Sequence, residues 1–159
     1  MEPMASTQRL IYDRSGPFRV SCIWALMMLV GQFLLGMWTN LFVSIPAHHA
    51  GSSTASSGYL SHGLQSDIWA LQHASPVLRA HIILGILIVI GALYTIWAAA
   101  RARHGSLLAW AIVAAIGIIV AGIQGASFLV FSEDVSSMIM SGGFALGMVS
   151  YAVGLYLAR

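Results

Sequence analysis

Five of the six histidines, His48, His49, His62, His73 and His81, cluster in one stretch of the chain, between its first long apolar run and the start of its second. Imidazole is the commonest metal ligand and titrates near neutrality, which makes His48, His49 and His73 candidates for a metal site. The chain has no His-x-x-x-His or Glu-x-x-His pair, the spacing that gives a helix-borne site fixed geometry. Solvated interfacial histidines are the plain alternative. Inside the apolar runs the polar residues include Gln32, Thr39, Asn40, His81, Gln124, Ser127, Ser141 and Tyr151. Gln32, Gly36 and Asn40 recur every four residues and share a helix face. Gln32, Asn40, Gln124 and Ser127 are the residues expected to line a polar pocket, with interhelical hydrogen bonding worth ~0.6 kcal/mol per contact as the structural alternative. No Asp, Glu, Lys or Arg lies mid-run, which argues against a proton-coupled transporter or a voltage sensor. Cys22 is the only cysteine, so the chain holds neither an internal disulfide nor a Cys-x-x-Cys redox pair.

The elements that must position these residues are membrane spans. Of the 159 residues 58% are hydrophobic and 8% are charged, against a charged fraction of roughly 25% in soluble domains. A helix needs about 20 apolar residues to cross a bilayer, and four windows satisfy this: 20–45, 77–100, 107–131 and 135–158. The expected fold is therefore all-α, a polytopic four-helix bundle in one domain, 20–158, preceded by a cytoplasmic tail, 1–19. Arg9, Arg14, Arg19, Arg101, Arg103 and Arg159 against Glu2 and Asp13 leave +4 on one side, while Arg79 against Asp67, Glu133 and Asp134 leaves −2 on the other. By the positive-inside rule both termini are cytoplasmic, and the histidine-rich loop, 46–76, is outside.

That loop opens with a Gly/Ser-rich run, expected to be flexible. Leu60, Leu64, Ile68 and Leu71 then recur at helical spacing beside Trp69, predicting a short amphipathic helix on the outer membrane surface or over the bundle. Ser75 and Pro76 read as N-cap and first residue of the second span. Glu133 and Asp134 are placed to complement the start of the fourth, with Arg79 as a candidate ion-pair partner. Gly117, Ala121 and Gly125, with Gly143 and Gly147, predict a small-residue seam between spans three and four.

Two blocks, Gly36 to His49 (GMWTNLFVSIPAHH) and Gly125 to Met140 (GASFLVFSEDVSSMIM), resemble a group of uncharacterised four-span bacterial membrane proteins. A looser, architectural similarity is to one four-helix half of haem A synthase and related b-type cytochrome bundles. It rests on Gln32 and Gly36 late in span one, the long outer loop with its short helix, His81 at the outer end of span two, and Gly122 in span three. This resemblance implies His81 as an axial haem ligand, with Met140, or Met138, standing where span four lacks a histidine; the outer loop also lacks a cysteine pair.

These features point to a small integral membrane protein, read as a non-enzymatic accessory or partner-binding protein with a polar pocket in its outer half. The alternatives are a haem-binding electron carrier using His81 and an outer-side metal binder. Catalytic machinery of its own is the least favoured reading. The partners are the lipid bilayer and a larger membrane complex or a second copy of the chain. With no Lys and seven scattered Arg there is no basic stripe for nucleic acid.

Overall fold

The computed structural model describes residues 3–46, 48–52, 59–131 and 134–159, with side chains described in these ranges except at 3–14, 59–60 and 134. Five helices follow in order: α1 (Pro3–Phe42), α2 (Tyr59–His73), α3 (Pro76–Ala102), α4 (Gly105–Phe131) and α5 (Asp134–Leu157), with no strand among the described residues. Four contain segments long and apolar enough to cross a membrane: Ser15–Phe42, Pro76–Ala102, Gly105–Phe131 and Val135–Leu157.

Helix α1 starts well before the first apolar window and runs through Pro17 without interruption. Its other end comes at Phe42, three residues short of the window's limit. Val43 to Pro46 is not helical, because a proline disfavours helical backbone in the residue before it. Helix α3 opens with the expected cap: Ser75 is extended, Leu78 N–H donates to Ser75 Oγ at 3.3 Å, and Pro76 occupies the first turn, where it has no hydrogen bond to lose. Arg103, with φ 55°, takes the left-handed conformation that ends α3, and its N–H donates to Ala100 O. The turn to α4 is thus two residues long and makes α3 and α4 neighbours.

In the bundle α1 packs on α3 and α5, and α4 packs on α3 and α5, so α1 and α4 lie on one diagonal and α3 and α5 on the other. The tightest contact is α4 on α5, along the predicted glycine seam. A Cβ on Gly117 would lie 2.6 Å from Gly143 O, and one on Gly143 would lie 3.1 Å from Ala121 N. Gly147 meets Ile118 in the same interface, and Gly125 faces Met140 Sδ. The backbones are in contact there, so the seam is packing rather than a groove. Toward the α3–α4 turn the core is built from Phe18, Cys22, Ala92, Ala99, Ala111, Ala114, Ala115 and Tyr151. Large apolar side chains such as Trp24, Phe33, Ile90, Ile116 and Val149 point outward on all four spans, as a lipid-facing surface requires.

Helix α2 sits at the opposite end, on α4 and α3, and the face it turns to the bundle is not its apolar one. His62 (6% exposed), Ser66 (0%) and Ala70 (0%) face the bundle, whereas Leu64 (64%) and Ile68 (54%) face away. Close approach explains the choice. Gly63 lies against Ala126, where a Cβ would be 3.2 Å from Ala126 Cβ, and larger residues on that face would hold the helix off α4. Gly51, at φ 93°, crosses over the same face; a side chain there would collide with Ser66 Oγ and with His62 O.

Candidate functional site

The α1–α3 interface at the α2 end is built from a reciprocal pattern, Gln32 and Gly36 on α1 against His81 and Gly85 on α3. In each helix a glycine lies one turn from a long polar side chain, and the antiparallel crossing places each polar residue over the other's glycine. A Cβ on Gly36 would be 3.0 Å from His81 Cε1, and one on Gly85 would be 3.3 Å from Gln32 Nε2. The two side chains therefore meet inside the interface, with Gln32 Nε2 3.3 Å from His81 Nε2. In this arrangement the amide N–H donates to the ring nitrogen, which places the ring proton on Nδ1. His81 Nδ1 and Gln32 Oε1 are buried without a hydrogen-bond partner, as is Thr39 Oγ1 two turns beyond Gln32 on α1. Unsatisfied polar atoms are costly at membrane depth, so this short track is one place in the bundle prepared to receive a polar group.

The other residues expected in the pocket do not all join it. Asn40 is exposed near the end of α1, and Gln124 is half-buried on α4, which does not pack on α1. Ser127 is buried on α4 with its hydroxyl unpartnered. The pocket residues thus divide between two helix faces.

A second polar cluster lies under α2. The His49 ring stacks on Trp69 with centroids 4.4 Å apart, and Trp69 is nearly parallel to His73 at 6.3 Å. His49 Nδ1 lies 3.0 Å from Ala50 O, and Nε2 lies 3.1 Å from Leu129 O in the last turn of α4. Carbonyls only accept, so a neutral ring satisfies one of them and a doubly protonated ring both. His73 Nδ1 is bonded to Trp69 O, and His48 is exposed. Among the described residues no group of three or more His, Cys, Asp or Glu is placed to hold a metal ion. Arg79 Nε donates to Ala74 O at 2.8 Å and Nη2 to Gln72 O at 3.1 Å, so the guanidinium caps the C-terminus of α2. Residues 53–58 of the Gly/Ser-rich run, Gly51 to Gly58, and the expected helix-start role of Glu133 lie outside the described residues, as does any ion pair of Arg79 with Glu133 or the Asp134 side chain.

His81 and Met140, the ligand pair implied by the haem resemblance, face different interfaces. The imidazole lies against Gln32 and Gly36 of α1, the Met140 sulfur lies near Gly125 of α4, and their helices α3 and α5 do not pack on each other. The residues as arranged do not form a paired axial site.

Thr95 escaped the sequence reading. It is fully buried, its Oγ1 donating to Gly91 O at 2.9 Å, and it lies with Cys22 beside Tyr151 in the core. A lone threonine in an apolar run carries no periodic signal that would mark it.

No protein-family model, curated protein or solved structure matches this chain. Fold and composition define a small, multi-pass integral membrane protein with four apolar helices in a bundle.

Proposed function

We propose that this is a non-enzymatic accessory protein of the cell membrane, with both termini cytoplasmic, that binds a second membrane protein through the outward face of α2. The observation that carries the reading is the orientation of α2: its small and polar residues dock on the bundle, while Leu64 and Ile68 are more than half exposed. A helix already anchored through Gly63, Ser66 and Ala70 gains nothing for its own fold from apolar residues on the far side. Such residues at the edge of a bundle suit a protein contact. The outer-half polar track of Gln32, Thr39 and His81 is the pocket of this reading.

Photo-crosslinking residues placed at Leu64 and at Ile68 test it in cells. The expected result is a discrete adduct with one membrane protein that also co-purifies with the unmodified chain and is lost in the Leu64→Asn/Ile68→Asn variant. An adduct of twice the 17.0 kDa chain mass identifies the partner as a second copy. Adducts with lipid only would overturn the proposal.

The haem reading requires His81 to present a ring-nitrogen lone pair, which means releasing Nε2 from the Gln32 amide, since the unpartnered Nδ1 carries the ring proton as placed. A Soret band in the purified protein that disappears in His81→Gln would replace the accessory reading with it. Bound copper or zinc lost on changing His48, His49 and His73 would favour the metal reading instead.

A further inference from the structure

Helices α1 and α3 interlock at the α2 end, where Gly31, Gly36 and Gly85 bring them together, and part toward the α3–α4 turn. The gap is a groove of about 400 Å³, within the size range of small-molecule sites. Gly91 forms its floor; a Cβ there would have nothing within 4 Å. Its walls are Val20, Trp24 and Met28 from α1 and Ile88 and Tyr94 from α3. The lining is almost wholly apolar, and Ser21 Oγ is already bonded to Phe18 O at 2.8 Å. A flexible hydrocarbon chain fits that surface, and a polar ligand does not.

The end of the groove nearest the turn has the opposite character. Tyr94 lies 5.4 Å from Trp97, centroid to centroid, and the Arg101 guanidinium lies 4.8 Å above the Trp97 ring. Tyr94, Trp97 and Arg101 thus form one stripe leading from the groove wall to the end of α3. The antiparallel register that opposes Gln32 to Gly85 and Gly36 to His81 sets Val20 level with Trp97 and Gly16 near the level of Arg101. The stripe and the groove mouth therefore share one depth. Arg19 and Arg103 belong to the same end of the bundle, and Asp67 on α2 and the start of α5 at Asp134 belong to the other.

We infer that this groove is a binding site for an anionic phospholipid, one acyl chain lying against Gly91 between Trp24 and Tyr94 and the phosphate held by Arg101. Guanidinium matches phosphate in shape and charge. A basic site between helices near the membrane surface is the arrangement that selects anionic headgroups over zwitterionic ones. The site lies at the opposite end of the bundle from α2 and stands independently of the accessory reading.

Native mass spectrometry of the detergent-purified full chain, titrated with phosphatidylglycerol or phosphatidylcholine of the same acyl composition, tests it. The expected result is one retained phosphatidylglycerol per chain, bound about fivefold more tightly than phosphatidylcholine, the ratio one arginine near a membrane surface supplies. Arg101→Gln should erase the preference while weak binding of both lipids persists. Gly91→Leu, whose side chain enters open space and leaves the bundle intact, should abolish the retained lipid of either kind. Equal retention of the two lipids by the wild-type chain, or unchanged retention in a Gly91→Leu variant with wild-type thermal stability, would overturn the inference.

Discussion

His81 has one hydrogen-bond partner, and that partner is replaceable. Interhelical hydrogen bonds in membranes average ~0.6 kcal/mol, so Gln32→Leu should lower the unfolding free energy in detergent by about 1 kcal/mol, and a Gln32→Leu/His81→Leu double variant should recover part of the loss. Strict additivity of the two single changes would mean that the 3.3 Å contact contributes nothing. Gly143 is less forgiving. A Cβ there would stand 2.5 Å from Gly117 O, a backbone atom that cannot swing aside, so Gly143→Leu should cost at least ~1–3 kcal/mol by overpacking and lower the thermal midpoint accordingly. The seam was legible from residues 117 to 147 because small residues at four-residue spacing have one common use in a membrane helix. The partner of His81 was not legible. Asn40, Gln124 and Ser127 lie at similar depth, and only the register between α1 and α3, which no local pattern encodes, singles out Gln32.

Helix α2 shows how a periodic pattern can locate a helix without saying which face packs on the bundle. The recurrence of Leu64, Ile68 and Leu71 located the helix, but burial went to Gly63, Ser66 and Ala70, since contact with α4 at Ala126 rewards small side chains over apolar ones. Asp67 lies on this helix, and partial burial pushes its carboxyl up to about 6 from the ordinary 3.8. The docked helix therefore holds the proton more tightly than the undocked one. Its contribution to docking is fully present below the ordinary carboxylate value and is lost as the pH rises through about 6. Hydrogen exchange of α2 amides, corrected for intrinsic rates, should show less protection at about pH 8 than at about pH 5. In Asp67→Asn the protection should no longer fall over that range; an identical pH profile in the variant would show that Asp67 is not its source.

For the whole molecule, the charge split between the two ends makes the sidedness testable with little engineering. Cys22 is buried and leaves a quiet background for single-cysteine labelling. A membrane-impermeant maleimide applied to intact cells should modify Ser56→Cys and miss Gly105→Cys, and the reverse pattern would invert the proposed topology. The number of spans was readable because the bilayer fixes a length and the composition meets it four times. Which spans touch was only partly readable: short turns dictate α3 beside α4 and α4 beside α5, while the pairing of α1 with α3 depends on the glycine pattern around Gln32 and His81.

Gly117 and Gly143 let two main chains touch over a short stretch, and that contact has a mechanical consequence. Most of the bundle is held by side chains that yield one at a time, whereas α4 and α5 meet where no side chain intervenes to act as a spring. If the chain is drawn out of a bilayer by its C-terminus, α5 should not peel away alone. The force trace should show α4 and α5 leaving as one brittle event, and Gly143→Leu should divide that event into two softer ones.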